Sequence, residues 1–218
     1  MQKLFIILSL LLSLTIGQDY SLHFDGEDDY VEIENDLSGF EEFTELINIK
    51  PDAIQLADDY NILFNTPNGN FRYGNEKITF NLTHDRVGGE NSSPSSTTIA
   101  EFIYSLDINF FNQIAITVDG NNSIRLYVNG IEIEQTNNEI DNGGMSNTNY
   151  STIGAIQFDN WSSGQTYYYQ VNGFFRGNID NLSFWNYPLN NSEILSYMST
   201  PPTGSEAGLV GYWNFNAG

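Results

Sequence analysis

The stretch Phe111 to Gln135, FNQIAITVDGNNSIRLYVNGIEIEQ, constrains the fold more than any other part of the chain. Its first run places Ile114, Ile116 and Val118 on one face and Gln113, Thr117 and Asp119 on the other, the period-2 pattern of a half-buried strand. Asp119-Gly120-Asn121-Asn122 turns the chain, and a second run repeats the rule with Ile124, Leu126 and Val128 inward. Asn129-Gly130 then supplies two residues that tolerate positive φ, a hairpin signal. A third run carries Ile131 and Ile133 on one side and Glu132 and Glu134 on the other. The result is a three-stranded antiparallel meander with one aliphatic and one wet face. Such an aliphatic face needs a second sheet to cover it.

The segments F-N-Q-I-A-I-T-V-D-G and I-R-L-Y-V-N-G resemble the central hairpin of the LamG-like jelly-roll family, which groups with laminin G, pentraxin and concanavalin A-like sandwiches. Ser21–Ile33, Phe174–Trp185 and Pro188–Ile194 resemble further segments of that family in the same order. The resemblance implies an all-β, antiparallel two-sheet β-sandwich of jelly-roll type with one short C-terminal helix. One strand departs from it: Phe43 to Pro51 has Glu45 and Asn48 where the family usually has an aliphatic residue and a Trp.

With 218 residues and 40% hydrophobic content, the chain can build one sandwich with a real core but not two. Lys3, the apolar run Leu4 to Ile16 and the small residues Thr15 and Gly17 read as a signal peptide over residues 1–17. The run is short for a membrane span, which takes about 20 apolar residues. The expectation is therefore a secreted or cell-surface protein with no membrane insertion after cleavage. Cysteine is absent, so the core, helped or not by a metal ion, must hold the fold. A formal net charge of −21 argues against nucleic acid as a partner.

Along the chain, short strands are expected at Ser21–Phe24, Tyr30–Glu34, Tyr60–Asn65, Asn70–Gly74, Lys77–Thr83 and Ile99–Tyr104, with a long polar loop over His84–Thr98. Asn137–Asn149 reads as another polar loop, Ser151–Gly154 as a short strand and Phe174–Asn186 as a long one. Asn190 fits an N-cap, Glu193 the capping-box position and Leu189 with Ile194 a hydrophobic staple. Residues 18–200 are thus the domain and 201–208 a linker. Residues 209–218 read as a strand that either closes this sandwich or opens a truncated following unit, and the second reading is favoured here because the apolar residues fall on both faces.

Two constellations bear on function. Asp159, Asn160, Trp161, Tyr167 and Tyr168 combine aromatic faces with polar side chains in what reads as a loop, the chemistry a sugar ligand needs; the alternative is an edge strand whose tyrosines pack on neighbours. Strict alternation puts Asp180 on the core face with Leu182 and Phe184, where a carboxylate must be paired or bound to a cation. The family resemblance implies a structural calcium shared between Asp180 and the acidic turn, here Asp25 and Asp28. Alternatively Asp180 accepts backbone N–H bonds and the turn is an ordinary one. No catalytic residues are expected, since the glucanase pattern E-x-D-x-x-E is missing. The functional expectation is a non-catalytic recognition or adhesion module for glycan or extracellular protein. The rivals are a structural spacer in a larger cell-surface adhesin and, less favoured, a glycosidase.

Overall fold

Alternating apolar side chains set the strands of this chain, and Asn-Gly, Pro-Asn-Gly and Asp-Gly turns set where they stop. The computed structural model describes residues 20–34, 37–52, 61–83, 97–141, 150–160 and 168–216; the predicted signal peptide lies outside them. Within this set run β1 (Leu22–Asp25), β2 (Val31–Ile33), β3 (Phe43–Pro51), β4 (Asn61–Thr66), β5 (Gly69–Gly74), β6 (Lys77–Thr83), β7 (Thr97–Ile103) and β8 (Asn112–Val118). Then come β9 (Ile124–Val128), β10 (Ile131–Ile133), β11 (Asn137–Asp141), β12 (Ser151–Ile153), β13 (Ile156–Asn160) and β14 (Tyr168–Asn172). The last elements are β15 (Arg176–Trp185), α1 (Asn191–Ser199) and β16 (Leu209–Trp213).

Two seven-stranded sheets result. Sheet I has the order β1-β15-β3-β8-β9-β10, with β16 also paired to β15, and sheet II the order β11-β7-β6-β5-β4-β12-β2. The pairings are antiparallel, so the expected jelly-roll sandwich is what forms. Ile114, Ile116 and Val118 of β8 meet Phe43, Ile47 and Ile49 of β3 and the sheet II residues Phe71 and Phe80 in one apolar cluster. Phe184 of β15 gathers rings around it: Phe43 stacks at 5.6 Å, Phe40 lies at 5.3 Å and Phe64 meets it edge-on at 6.5 Å. Each such buried side chain contributes about 1.5–3 kcal/mol relative to exposure.

The outer face of sheet I is not uniformly wet. Helix α1 and the residues before it lie on it through Ile194 and Leu189, which join Leu46, Ala115, Tyr127 and Trp185 in a second cluster. Asn190 accepts a bond from the Glu193 N–H while the Glu193 side chain accepts from the Asn190 N–H, the reciprocal box expected from the sequence. Thr44 ties the segment before the helix to β3, donating to Tyr187 O (2.9 Å) and accepting from Leu189 N (2.8 Å).

The second polar-loop expectation needs correction. Asn137–Asp141 belongs not to a loop but to the edge strand β11, paired with β7 along its length. It shows no apolar period because, at the sheet edge, backbone pairing suffices; Ile140 is 67% exposed. Leu209–Trp213 pairs with β15, and Val210 and Trp213 pack against the main core. Residues 203–208 are tied locally by Glu206, whose carboxylate accepts from the N–H groups of Thr203, Gly204 and Ser205. Those backbone bonds, the Thr203 one first, hold its carboxyl down at about 2. Among the described residues no helix is long and apolar enough to cross a membrane.

Candidate binding site

Phe24 and Phe175 meet edge-on at one end of the sandwich, ring centroids 6.4 Å apart. Gly154, at φ +82°, presses so closely on Phe24 that a Cβ there would collide with the ring. Phe175 N donates to Gly154 O (2.7 Å), Gly154 N to Leu63 O (3.2 Å) and Ile62 N to Gly173 O (2.8 Å). These bonds clamp the start and finish of residues 156–172 to one point. From there β13 and β14 leave as a separate two-stranded ribbon. The segment expected to be a loop is therefore partly strand, as its tyrosines, Ile156 and Val171 favour. The register sets Asp159 opposite Tyr169 and Asn160 opposite Tyr168 across the ribbon. Trp161 and Tyr167 lie outside the described residues.

The acidic turn sits at the same end. Asp25 accepts from the N–H of Glu27 (2.8 Å) and of Asp28 (3.3 Å), and Asp29 accepts from the N–H of Asp25 (3.0 Å). The Glu27 N–H, aided by its neighbours, holds the exposed Asp25 carboxyl below its usual range. Asp25, Asp28 and Asp29 each bring a carboxylate oxygen within 4.8 Å of the others. That donor set, all oxygen and open to solvent, fits a divalent cation of the calcium kind. Gly26 at φ +82° lets the turn approach the Arg176 stem, and Asp52 pairs with both His23 (3.1 Å) and Arg176 (3.7 Å).

Asp180 does not join this cluster. The β1–β15 register sets Asp25 opposite Arg176, four residues before Asp180, a separation of roughly 13 Å along a strand. Nor does it face the core. The β15–β3 register shifts between Asp180 and Ser183, with Asn181 in the left-handed region at φ 48°. This bulge reverses the alternation, so Ile179 and Leu182 are both core residues and Asp180 falls on the outer face. There it accepts from Asn181 N (2.8 Å) and Asn181 Nδ2 (2.7 Å).

Several polar features escape a reading by alternation. On the outer face of sheet II, Thr152, Asn65, Asn70 and Asn81 stand in one row across four strands. Asn70 Oδ1 accepts from Asn81 Nδ2 (3.1 Å) and from the buried Arg72 Nε (2.6 Å), which stiffens the row. The outward asparagines at 65, 70 and 81 were its only trace in the sequence. A cleft of about 450 Å³ lies between the edges of the sheets, lined by Phe102, Ile124 and Ile133 with Arg125 and Glu132. It is at the β9–β10 side of sheet I, away from the ribbon and the acidic turn.

Residues 25–195 match the Laminin G 3 family model, described as concanavalin A-like lectin/glucanases superfamily. No curated protein matches the sequence. Among solved structures, a Bacteroides ovatus protein described as carbohydrate-binding is similar over 90% of this chain, at 17% identity and a TM-score of 0.59; the chain spans 51% of that protein's length. The CBM40 module of the Ruminococcus gnavus IT-sialidase, solved with α2,3-sialyllactose, is similar over 81% of this chain and 95% of its own, at 14% identity and a TM-score of 0.51. At such identities the likeness concerns the fold. By its family match over most of its length, the chain belongs to the concanavalin A-like lectin/glucanases superfamily, in its laminin G group.

Proposed function

We propose that the protein is an exported, non-catalytic recognition module that binds carbohydrate at the end of the sandwich bearing the β13–β14 ribbon. An extracellular protein is the alternative ligand. The observation that carries this reading is the ribbon itself, clamped to a rigid base and pairing Asp159 and Asn160 with tyrosines across its two strands. Aromatic faces beside carboxylate and amide groups are what sugar rings and their hydroxyls require, and rigid scaffolds commonly present ligands to such projections. Two fold relatives are described in terms of carbohydrate, which is a property of those proteins and supports the class of ligand.

A glycan array on the purified chain tests the reading. Binding that is lost in Trp161→Ala and Tyr168→Ala supports it. Absence of binding to any glycan or matrix protein would favour a spacer within a larger cell-surface adhesin. Release of reducing sugar from β-glucans would overturn the non-catalytic reading.

The proposal includes a structural calcium ion in the acidic turn, held by Asp25, Asp28 and Asp29 rather than by Asp180. Its basis is the mutual approach of three carboxylates at the end of the molecule where the ribbon is anchored. A bound cation would neutralise part of that repulsion and fix the turn.

A further inference from the structure

On the outer face of sheet I, Asp180, Asn48 and Gln113 stand side by side on three adjacent strands. Asp180 and Gln113 are 5% and 6% exposed, while Asn48 between them is only half-buried, so the row opens to solvent at its centre. Asn48 Oδ1 and Gln113 Oε1 are shielded and have no hydrogen-bond partner, and neither side-chain amide bonds to the protein among the described residues. Turning either amide over would only exchange an unpartnered acceptor for an unpartnered donor. Two neighbouring shielded amide oxygens left unmet are uncommon in folded proteins, because each costs the desolvation of a polar atom with nothing returned. A bound partner that supplies both donors and acceptors removes that cost.

We infer that this row is a saccharide subsite, in which the hydroxyls of a neutral sugar complete the hydrogen bonds of Asn48 and Gln113 and donate to Asp180. The inference rests on the carbohydrate-binding reading above and places a contact point that reading does not contain. A hydroxyl both donates and accepts, as does an amide, and adjacent strands about 4.8 Å apart present the three groups at the scale of a sugar ring. Phe111, two residues before Gln113, just ahead of β8 and 45% exposed, offers an apolar surface near the polar row. Lys50 and Asn178, paired with one another in the next row and both half-buried, extend the face toward the Arg176 end of β15. Asp180 and the net charge of −21 select against acidic sugars.

The test is an array of neutral and sialylated oligosaccharides, followed by titration of a bound neutral oligosaccharide into the wild type, Asn48→Leu, Gln113→Leu and Phe111→Ala. The leucine variants remove unpartnered polar atoms, so their melting temperatures should equal or exceed that of the wild type. Their affinity should nevertheless fall at least tenfold, with Phe111→Ala, an exposed position, several-fold weaker. Neutral-sugar binding unchanged in all three variants overturns the subsite and leaves the general function standing. Preference for sialylated over neutral glycans overturns the neutral-sugar assignment. A wild type that binds no glycan overturns the subsite and the carbohydrate reading together.

Discussion

Glu45 of β3 stands directly opposite Phe184 of β15, on the core side of sheet I, and is fully buried. The Thr66 hydroxyl faces it but donates to Gly69 O (3.3 Å), and neither Glu45 oxygen has a hydrogen-bond partner. Burial in this aromatic surrounding drives its pKa well above 4.5, the Thr66 hydroxyl opposing only in part. The folded chain therefore keeps the proton to higher pH than the unfolded chain does. The associated stability is complete below about pH 4.5 and declines as pH rises until the folded carboxyl ionises. Glu45→Gln should remove that slope, matching the wild type near pH 4 and exceeding it at pH 8. Urea unfolding of both proteins across this range checks it, and parallel profiles would count against a buried, protonated Glu45.

Calcium at 10 mM should raise the melting temperature. With dissociation constants of about 10⁻⁴–10⁻³ M, usual for extracellular modules, mass action supplies about 1.4–2.7 kcal/mol. The response should vanish in Asp28→Asn and persist in Asp180→Asn, because Asp180 stands apart from the cluster. Equal melting in calcium and in chelator would remove the metal from the proposal.

The bulge at Asn181 makes a conformational demand that few side chains meet. At φ 48° an Asn is tolerated, and its Oδ1 also accepts from Tyr212 Oη at 2.6 Å, joining β15 to β16. Asn181→Val should destabilise by about 2–4 kcal/mol, combining backbone strain and the lost hydrogen bond. Asn181→Gly, which keeps the backbone and loses the bond, should cost about half as much. Chemical denaturation distinguishes them; equal costs would mean the left-handed geometry is not retained.

Asn190→Ala removes the side-chain half of the helix cap and should cost about 0.5–2 kcal/mol. Trp185 lies against Tyr197 of α1, ring centroids 4.8 Å apart, so fraying should also weaken the near-ultraviolet circular dichroism. Loss of stability with an unchanged aromatic signal would show that the helix stays docked by its apolar face alone.

Strands with clean period-2 patterns, such as Asn112–Val118 and Lys77–Thr83, were legible in the sequence because the core demands that alternation. So was the helix, whose cap and staple residues are local signals. What could not be read were features decided by pairing partners. Asn137–Asp141 is a strand only because β7 offers an open edge. Asp180 changed faces through a single left-handed residue, which the pattern I-D-N-L does not announce. Of the candidate site, the acidic turn was visible as composition, and the structure adds Asp29 to it and takes Asp180 away. The row of Asp180, Asn48 and Gln113 exists only once β15, β3 and β8, distant in sequence, are neighbours. Its one sequence trace was Asn48, out of keeping with the family pattern.

β1 and β16 lie end to end along the same edge of β15, and Tyr20 N donates to Asn216 Oδ1 at 2.8 Å where they meet. Both oppose β15, so both run in one direction, and the edge reads from 209 to 216 and then from 20 to 25. Topologically the described chain is almost a ring. A peptide bond from Asn216 to Tyr20 would fuse the two into one continuous strand, and new ends could be opened at the exposed Asn121-Asn122 turn with every strand pairing kept. The closed form would also have fewer unfolded conformations to lose on folding, and so would gain stability without a single new contact.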